Sequence, residues 1–252
     1  MAFAEPPGWY VISLRPQAGH AALRRAAAAC GGGLIALSPW RIEFRADAAT
    51  AADLRAALSA SRILFTSPAA VEAALALQPL VSSEGQAWIA VGSGTAAALR
   101  KAGIEAVVAP TRMDSEGLLS LPVLGAVAGQ QVGLVTAPEG REFLVPALRG
   151  RGADVLRANV YARIPVNLPV AALRRIRELQ TPAALALSSG GALHELCARA
   201  PAEVLERLRD LPVVAASARL LQLAQEGGFA EVHLAEGPLP AQMIAAMARR
   251  FR

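Results

Sequence analysis

Residues 11–41, VISLRPQAGHAALRRAAAACGGGLIALSPWR, and residues 132–163, VGLVTAPEGREFLVPALRGRGADVLRANVYAR, follow one course. Each has an apolar run, a polar turn, a helical pattern, glycines, a second apolar run and an extended exit. A second pair of similar stretches exists. ILFTSPAAVEAALAL (63–77), WIAVGSGTAAALRKAGIEAVVAP (88–110) and SEGLLSL (115–121) parallel LALSSGGALHELCA (185–198), VVAASARLLQLAQEGGFAEVHLA (213–235) and LPAQMIAAM (239–247). The chain therefore reads as segment A, segment B, A again (A′) and B again (B′), the signature of a duplicated domain.

Working outward from these segments, short apolar runs at 9–14, 34–37, 63–65, 87–91, 106–108, 132–135, 155–156, 183–187, 213–215 and 231–234 read as strands, most of them followed by a helical pattern. Strand and helix in alternation argue for an α/β fold built on parallel sheets. The exits of the two A segments, 38–44 and 160–166, contain Pro39 and Pro165 and read as linkers. Repetition alone leaves open whether the first A segment pairs with the near B segment or the distant B′.

Composition narrows the class. Apolar residues make up 54% of the 252-residue chain and aromatic ones 4%, which excludes disorder and calls for a core of Ala, Leu, Val and Ile. The longest uncharged stretch, 117–138, is broken by Pro122, its glycines and Gln130-Gln131, so it is not a membrane span. The start, MAFAEPPGWYVISLRP, lacks the basic and apolar regions of a signal peptide, and a cytoplasmic location is expected. Cys30 and Cys197 are too few for a disulfide framework. His194 and Cys197 share a helical face, but no second pair completes a four-ligand metal site. The net charge of +5 comes from scattered arginines, Lys101 being the only lysine. No arginine run is interleaved with aromatics, so nucleic acid is not the expected partner; small anions are.

In open parallel sheets ligands gather beyond the carboxyl ends of the strands, where turns enter helix N-termini. Here those turns are Thr66-Ser67-Pro68, Gly92-Ser93-Gly94-Thr95, Thr136-Ala137-Pro138, Ser188-Ser189-Gly190 and Ser217. Backbone amides and the helix dipole suit them to carboxylate or phosphate, although Ser, Thr and Gly are also ordinary helix caps. Gly92-Ser93-Gly94-Thr95-Ala96-Ala97 matches a G-x-G-x-x-A pattern, yet lies mid-chain, and its counterpart Ala215-Ala216-Ser217-Ala218 loses the glycines. His20 and His194 fall on helical patterns and His233 at a strand end, and no nucleophile elbow is present. Glu116 and Glu139 read as isolated first-turn helix residues. Tyr161 lies where A′ leaves for the linker. It is expected at the edge of a cleft, carrying little of the core, with its phenol able to donate a hydrogen bond or proton to a departing oxygen.

In order and spacing these motifs resemble the uroporphyrinogen-III synthases. The resemblance runs through Ser13-Leu14-Arg15-Pro16, Phe65-Thr66-Ser67-Pro68, Val91-Gly92 with Thr95-Ala96, Pro110 with 115–119, Gly140-Arg141 with Leu144, Leu148 and Gly152, Val160-Tyr161, Ser188-Ser189 and Ser217. It implies two flavodoxin-like parallel-sheet domains joined by a two-stranded linker. Residues 1–37 with 168–252 would form the first, 45–159 the second, and 38–44 and 160–167 the linker strands. It further implies a cyclising lyase that acts on hydroxymethylbilane, a linear tetrapyrrole polycarboxylate, losing water and inverting the last pyrrole ring. No cofactor, metal, nucleic acid or membrane is implied, and a monomer is expected. By the same resemblance Tyr161 is the catalytic tyrosine. Ser67 and Thr95, and Ser188 or Ser189 with Ser217, are the substrate-binding hydroxyls; Arg15, Thr66, Gly92, Ser93 and Arg141 are expected to bind substrate beside them. The competing reading is a non-catalytic two-lobed protein that binds a small anion.

Overall fold

The computed structural model describes residues 7–111, 115–138 and 143–251. Its internal contacts divide the chain into two compact units, unit 1 from Met1–Arg41 with Ile164–Arg252 and unit 2 from Ile42–Arg163. In chain order, segment A gives β1 (Trp9–Ser13), α1 (Ala21–Ala28), β2 (Gly32–Ala36) and β3 (Trp40–Phe44). Helix α2 (Ala48–Leu58) follows. Segment B gives β4 (Arg62–Phe65), α3 (Pro68–Leu77), β5 (Ala87–Ala90), α4 (Ser93–Lys101), β6 (Val107–Val108) and α5 (Ser115–Leu119). Segment A′ gives β7 (Gln131–Thr136), α6 (Leu144–Gly150), β8 (Asp154–Asn159) and β9 (Tyr161–Pro165). After α7 (Val170–Arg177), B′ gives β10 (Ala183–Leu187), α8 (Gly190–Arg199), α9 (Ala202–Arg209), β11 (Val213–Ala215), α10 (Ala218–Glu226), β12 (Val232–Leu234) and α11 (Pro240–Ala248).

The sheet of unit 1 has the order β12-β11-β10-β1-β2 and that of unit 2 the order β6-β5-β4-β7-β8. The ladders in both run parallel. The orders correspond strand for strand: β10, β11 and β12 stand where β4, β5 and β6 stand, and β1 and β2 where β7 and β8 do. Unit 2 is the arrangement of unit 1 with the chain opened at another point, so that A′ comes last instead of first. The sheets pair A with the distant B′ and A′ with B.

Central parallel strands are covered on both faces and so lose polar alternation. Both β1 and β10 are buried at every residue. Successive residues feed opposite layers: Tyr10 and Ile12 pack with Ile176 of α7 and Leu193 of α8, whereas Trp9 and Val11 pack with Leu23 of α1 and Met243 of α11. Unit 2 does the same, with Ile63 and Phe65 among α2, α3 and α4, and Leu64 packed with residues of α5 and α6. Leu54, Ile63 and Leu99 have no exposed area, and truncating any to Ala would cost roughly 2–5 kcal/mol.

Gly133 in β7 is required by close approach. A Cβ there would lie 1.9 Å from Ala57 O, so the backbone of α2 rests directly on the sheet. Strand register places Ile12 at the corresponding point of unit 1. There the corresponding helix, α7, meets the core through side chains such as Ile176 and also packs against α9.

The segments read as linkers are strands β3 and β9, paired as a two-stranded sheet within which both unit boundaries fall. Arg45 N–H donates to Val160 O at 2.9 Å and Val166 N–H to Pro39 O at 3.0 Å, so they run antiparallel. Strand β8 is longer than the apolar pair Val155-Leu156 suggests. Polar Arg157 and Asn159 continue the ladder, and the Arg157 guanidinium donates to Asn159 Oδ1 at 3.0 Å and Ala137 O at 2.9 Å. Among the described residues no helix is long and apolar enough to cross a membrane.

Candidate active site

In unit 2 the turns after β4 and β5 carry the polar groups. Ser67 caps α3, its Oγ accepting the Ala70 N–H at 3.1 Å, with Pro68 in the first turn, where its missing N–H costs nothing. The same Oγ lies 3.0 Å from the phenol oxygen of Tyr161. Contrary to the expectation that it carries little of the core, Tyr161 is 2% exposed, and its ring belongs to the core around Phe65 and Val71. The aromatic body is held by packing, and the hydroxyl reaches back to the helix cap. Thr66 turns inward, its hydroxyl 2.8 Å from Thr136 Oγ1.

Helix α4 begins differently. Gly92 sits at its N-cap in an extended conformation, and no side chain caps the helix. The backbone amides of Gly94 and Thr95 and the Thr95 hydroxyl make no hydrogen bond among the described residues, although Thr95 is 3% exposed. Ser93 is exposed. Uncapped N-terminal amides with the positive end of the helix dipole behind them are receptive to an anion.

In unit 1, Ser189 caps α8 by accepting the Ala192 N–H at 3.3 Å, and Ser217 caps α10 by accepting that of Leu220 at 3.4 Å. Ser189 thus stands in the place of Ser67. Ser188, the counterpart of Thr66, is exposed and makes no hydrogen bond among the described residues. Beyond β1 lies Arg15, half-buried; its guanidinium has no hydrogen bond or ion pair among the described residues, and burial pushes its pKa below the ordinary arginine value.

His20 is not a residue of α1 but stands just ahead of it, 7% exposed, with both ring nitrogens engaged. Nδ1 lies 2.9 Å from Ser13 Oγ and Nε2 2.7 Å from Ser38 Oγ. Burial, then the charges of Arg24 and Arg15, push its pKa down and keep it neutral. A neutral imidazole donates through one nitrogen and accepts through the other, so both hydroxyls can be matched. This cluster was missed in the sequence; its signal was a histidine after an Ala-Gly turn, with serines at two strand ends.

Arg141 and Glu139 lie outside the described residues. His194 and Cys197 flank an apolar groove of about 250 Å³ between α8 and α10, and burial pushes the Cys197 thiol pKa up, making it a poor ligand. No group of three or more His, Cys, Asp or Glu suited to a metal occurs among the described residues. A larger depression of about 530 Å³, lined by Tyr10, Arg174, Arg175 and Thr181, opens at the amino ends of β1 and β10, away from the strand-end turns.

A family model described as uroporphyrinogen-III synthase HemD matches residues 21–245. The uroporphyrinogen-III synthase of Salmonella typhimurium is 30% identical over 238 residues, covering 90% of this chain and 94% of that protein. That of Escherichia coli is 28% identical over 193 residues, 73% of this chain and 78% of that protein. Among solved structures, a mutant uroporphyrinogen III synthase from Thermus thermophilus aligns over 95% of this chain and 97% of its own with a TM-score of 0.62 at 18% identity. The Helicobacter pylori uroporphyrinogen-III synthetase aligns over 96% and 99% with a TM-score of 0.61 at 15% identity. These two show a shared α/β fold with parallel sheets, and the family match over nearly the whole sequence settles the assignment: the chain belongs to the uroporphyrinogen-III synthase family.

Proposed function

We propose that Tyr161 assists loss of the substrate hydroxyl while strand-end groups of each unit hold substrate carboxylates. The family makes this chain a lyase of tetrapyrrole synthesis, and the reading as a non-catalytic anion-binding protein is not favoured. Its substrate is hydroxymethylbilane, which loses water, inverts its last pyrrole ring and closes to uroporphyrinogen III. The substrate is already reactive, so positioning and a little help to the leaving group suffice.

The observation that carries the reading is the contact of the Tyr161 phenol with Ser67 Oγ at 3.0 Å, at the carboxyl end of the sheet of unit 2. Ser67 Oγ already accepts the Ala70 N–H. If its own proton turns to the phenol oxygen, the phenol O–H is left to point at the departing hydroxyl. As that oxygen gains charge, the phenol donates a hydrogen bond or its proton, and the Ser67 hydroxyl steadies the oxygen that gives it up. The amides of Gly94 and Thr95 with the Thr95 hydroxyl, Ser93, and in unit 1 Arg15, Ser188, Ser189 and Ser217 are the proposed carboxylate holders.

Two flavodoxin-like domains, 1–37 with 168–252 and 45–159, joined by 38–44 and 160–167, are the matching architecture. In its support, the strands of unit 1 renumbered along the chain fall in the order 2-1-3-4-5. The deciding experiment supplies hydroxymethylbilane to the wild type and to Tyr161→Phe and identifies the product isomer. The type III isomer from the wild type, formed more slowly by the variant, is expected; only the type I isomer from both would sink the proposal.

A further inference from the structure

Among the described residues, the buried polar side chains of unit 1 are Ser13, His20 and Ser38, at 0%, 7% and 2% exposure, and they form one cluster. Its anchors are distinct: Ser13 ends β1, and Ser38 lies on the exit from β2 towards β3. The ring between them closes the loop 14–19, which contains Arg15. An imidazole in such a place costs desolvation that an apolar residue would avoid, so packing alone does not call for it. Nor does its side chain cap α1.

The enclosed loop carries strain. Ala18 has φ of 65°, the one non-glycine residue in the left-handed region among those described, and a Cβ makes that conformation unfavourable. Such strain persists only where surrounding contacts over-determine it. Here they do: Gly19 N–H donates to Pro16 O at 2.9 Å and Gln17 N–H to Trp40 O at 3.0 Å, with the two imidazole contacts at the end of the loop. What this held loop presents is Arg15, a half-buried cation without a partner among the described residues.

We infer that His20 is a positioning residue: through Ser13 and Ser38 it holds the strained loop in the conformation from which Arg15 takes a substrate carboxylate. The inference rests on the reading of Arg15 as a carboxylate holder. A guanidinium fixed in advance loses less freedom on forming a bidentate pair, and the carboxylate restores the hydration Arg15 gave up on burial. The aspect of catalysis affected is binding, so the effect falls on KM more than on kcat.

The test is steady-state kinetics on the full chain with hydroxymethylbilane, comparing wild type, Arg15→Gln, His20→Ala, His20→Gln, Ser38→Ala and the Arg15→Gln/His20→Ala double variant, with melting temperatures alongside. Arg15→Gln should raise KM about tenfold or more, as expected for loss of a charge-assisted hydrogen bond, with kcat moving less. His20→Ala and Ser38→Ala should each raise KM severalfold, and His20→Gln, which can still reach one hydroxyl, should recover part of the loss. In the double variant KM should be no worse than in Arg15→Gln alone, because His20 acts through the arginine. Equal increments from His20→Ala with and without Arg15 would overturn the inference, as would wild-type KM in Arg15→Gln. If His20→Ala does not fold, Ser38→Ala and His20→Gln carry the same comparison, and wild-type KM in both refutes it. These outcomes leave the enzyme making type III product; a wild type that makes none removes the proposed function and this inference with it.

Discussion

Helix α4 of unit 2 and helix α10 of unit 1 occupy the same place in corresponding sheets, yet they begin in opposite ways. The first starts at Gly92, with no side-chain cap and with the amides of Gly94 and Thr95 unpartnered among the described residues; the second starts at Ser217, which satisfies the Leu220 N–H itself. The β1 and β7 ends differ in the reverse sense. Unit 1 puts Arg15 there, without a partner among the described residues, whereas unit 2 puts Thr136, buried against Thr66. The two copies therefore share a scaffold and differ in the polar groups at their strand ends; on the proposed reading, backbone amides lead the anion binding in unit 2 and a guanidinium, with serine hydroxyls, in unit 1. A similar divergence separates Gly133 from Ile12: one sheet accepts a helix backbone at contact distance and the other a side chain.

The comparison can be broken at its strongest point with Gly133→Ala. The new Cβ would meet Ala57 O, and displacement of α2 should cost about 3 kcal/mol or more in chemical denaturation. Ile12→Val in unit 1 should cost only about 0.5–1.5 kcal/mol; equal costs would mean that the two sheets are packed alike.

Tyr161→Phe should lower kcat by roughly tenfold to a hundredfold, less than many general acids supply because the leaving group is labile. The residual product should remain type III, and the loss of one hydrogen bond should cost about 1 kcal/mol of stability, since Phe keeps the buried ring. Wild-type kcat would remove the phenol from the mechanism. Gly92→Ser gives unit 2 the self-capped start of unit 1. It should raise KM severalfold while changing stability by only a few tenths of a kcal/mol, and an unchanged KM would show that the open amides hold nothing.

Ala18→Gly should raise stability by about 0.5–1 kcal/mol, since it relieves the left-handed strain at some cost in unfolded-state entropy. Smallest is a change of slope. His20 has a pKa held below its ordinary 6.5, so the unfolded chain binds its proton first as pH falls. The stability it contributes is complete above about pH 6.5 and is lost as pH drops through the lowered value. Denaturation midpoints of His20→Gln should therefore fall less steeply on acidification than those of the wild type; parallel curves would refute the assignment.

Much of this was legible in the sequence. The repeats revealed the parallel α/β plan because buried strands such as Ala183–Leu187 and the turns after them survive duplication as recognisable blocks. Strand β8 was read short because Arg157 and Asn159 break the apolar run while still pairing through the backbone. Burial of Tyr161 was not readable, since a residue beside a linker gives no sign of which layer its ring will enter. The His20 cluster was hidden for a related reason: its members are 7 and 18 residues apart, and only the parallel pairing of β1 with β2 brings Ser13 and Ser38 to the same edge.

The shifted opening of the chain also sets an order of events during synthesis. Unit 2 is continuous and complete once residue 163 has emerged, whereas β1 has its inner neighbour, β10, some 170 residues downstream, Ser13 pairing with Ala186. At roughly 5–20 residues per second the buried-to-be strand Trp9–Ser13 waits on the order of ten to thirty seconds for that neighbour. Strand β1 is thus among the last of the described strands to gain its inner neighbour, and in a growing chain it is this β1-α1-β2 piece, not the unit finished early, that needs shelter from aggregation.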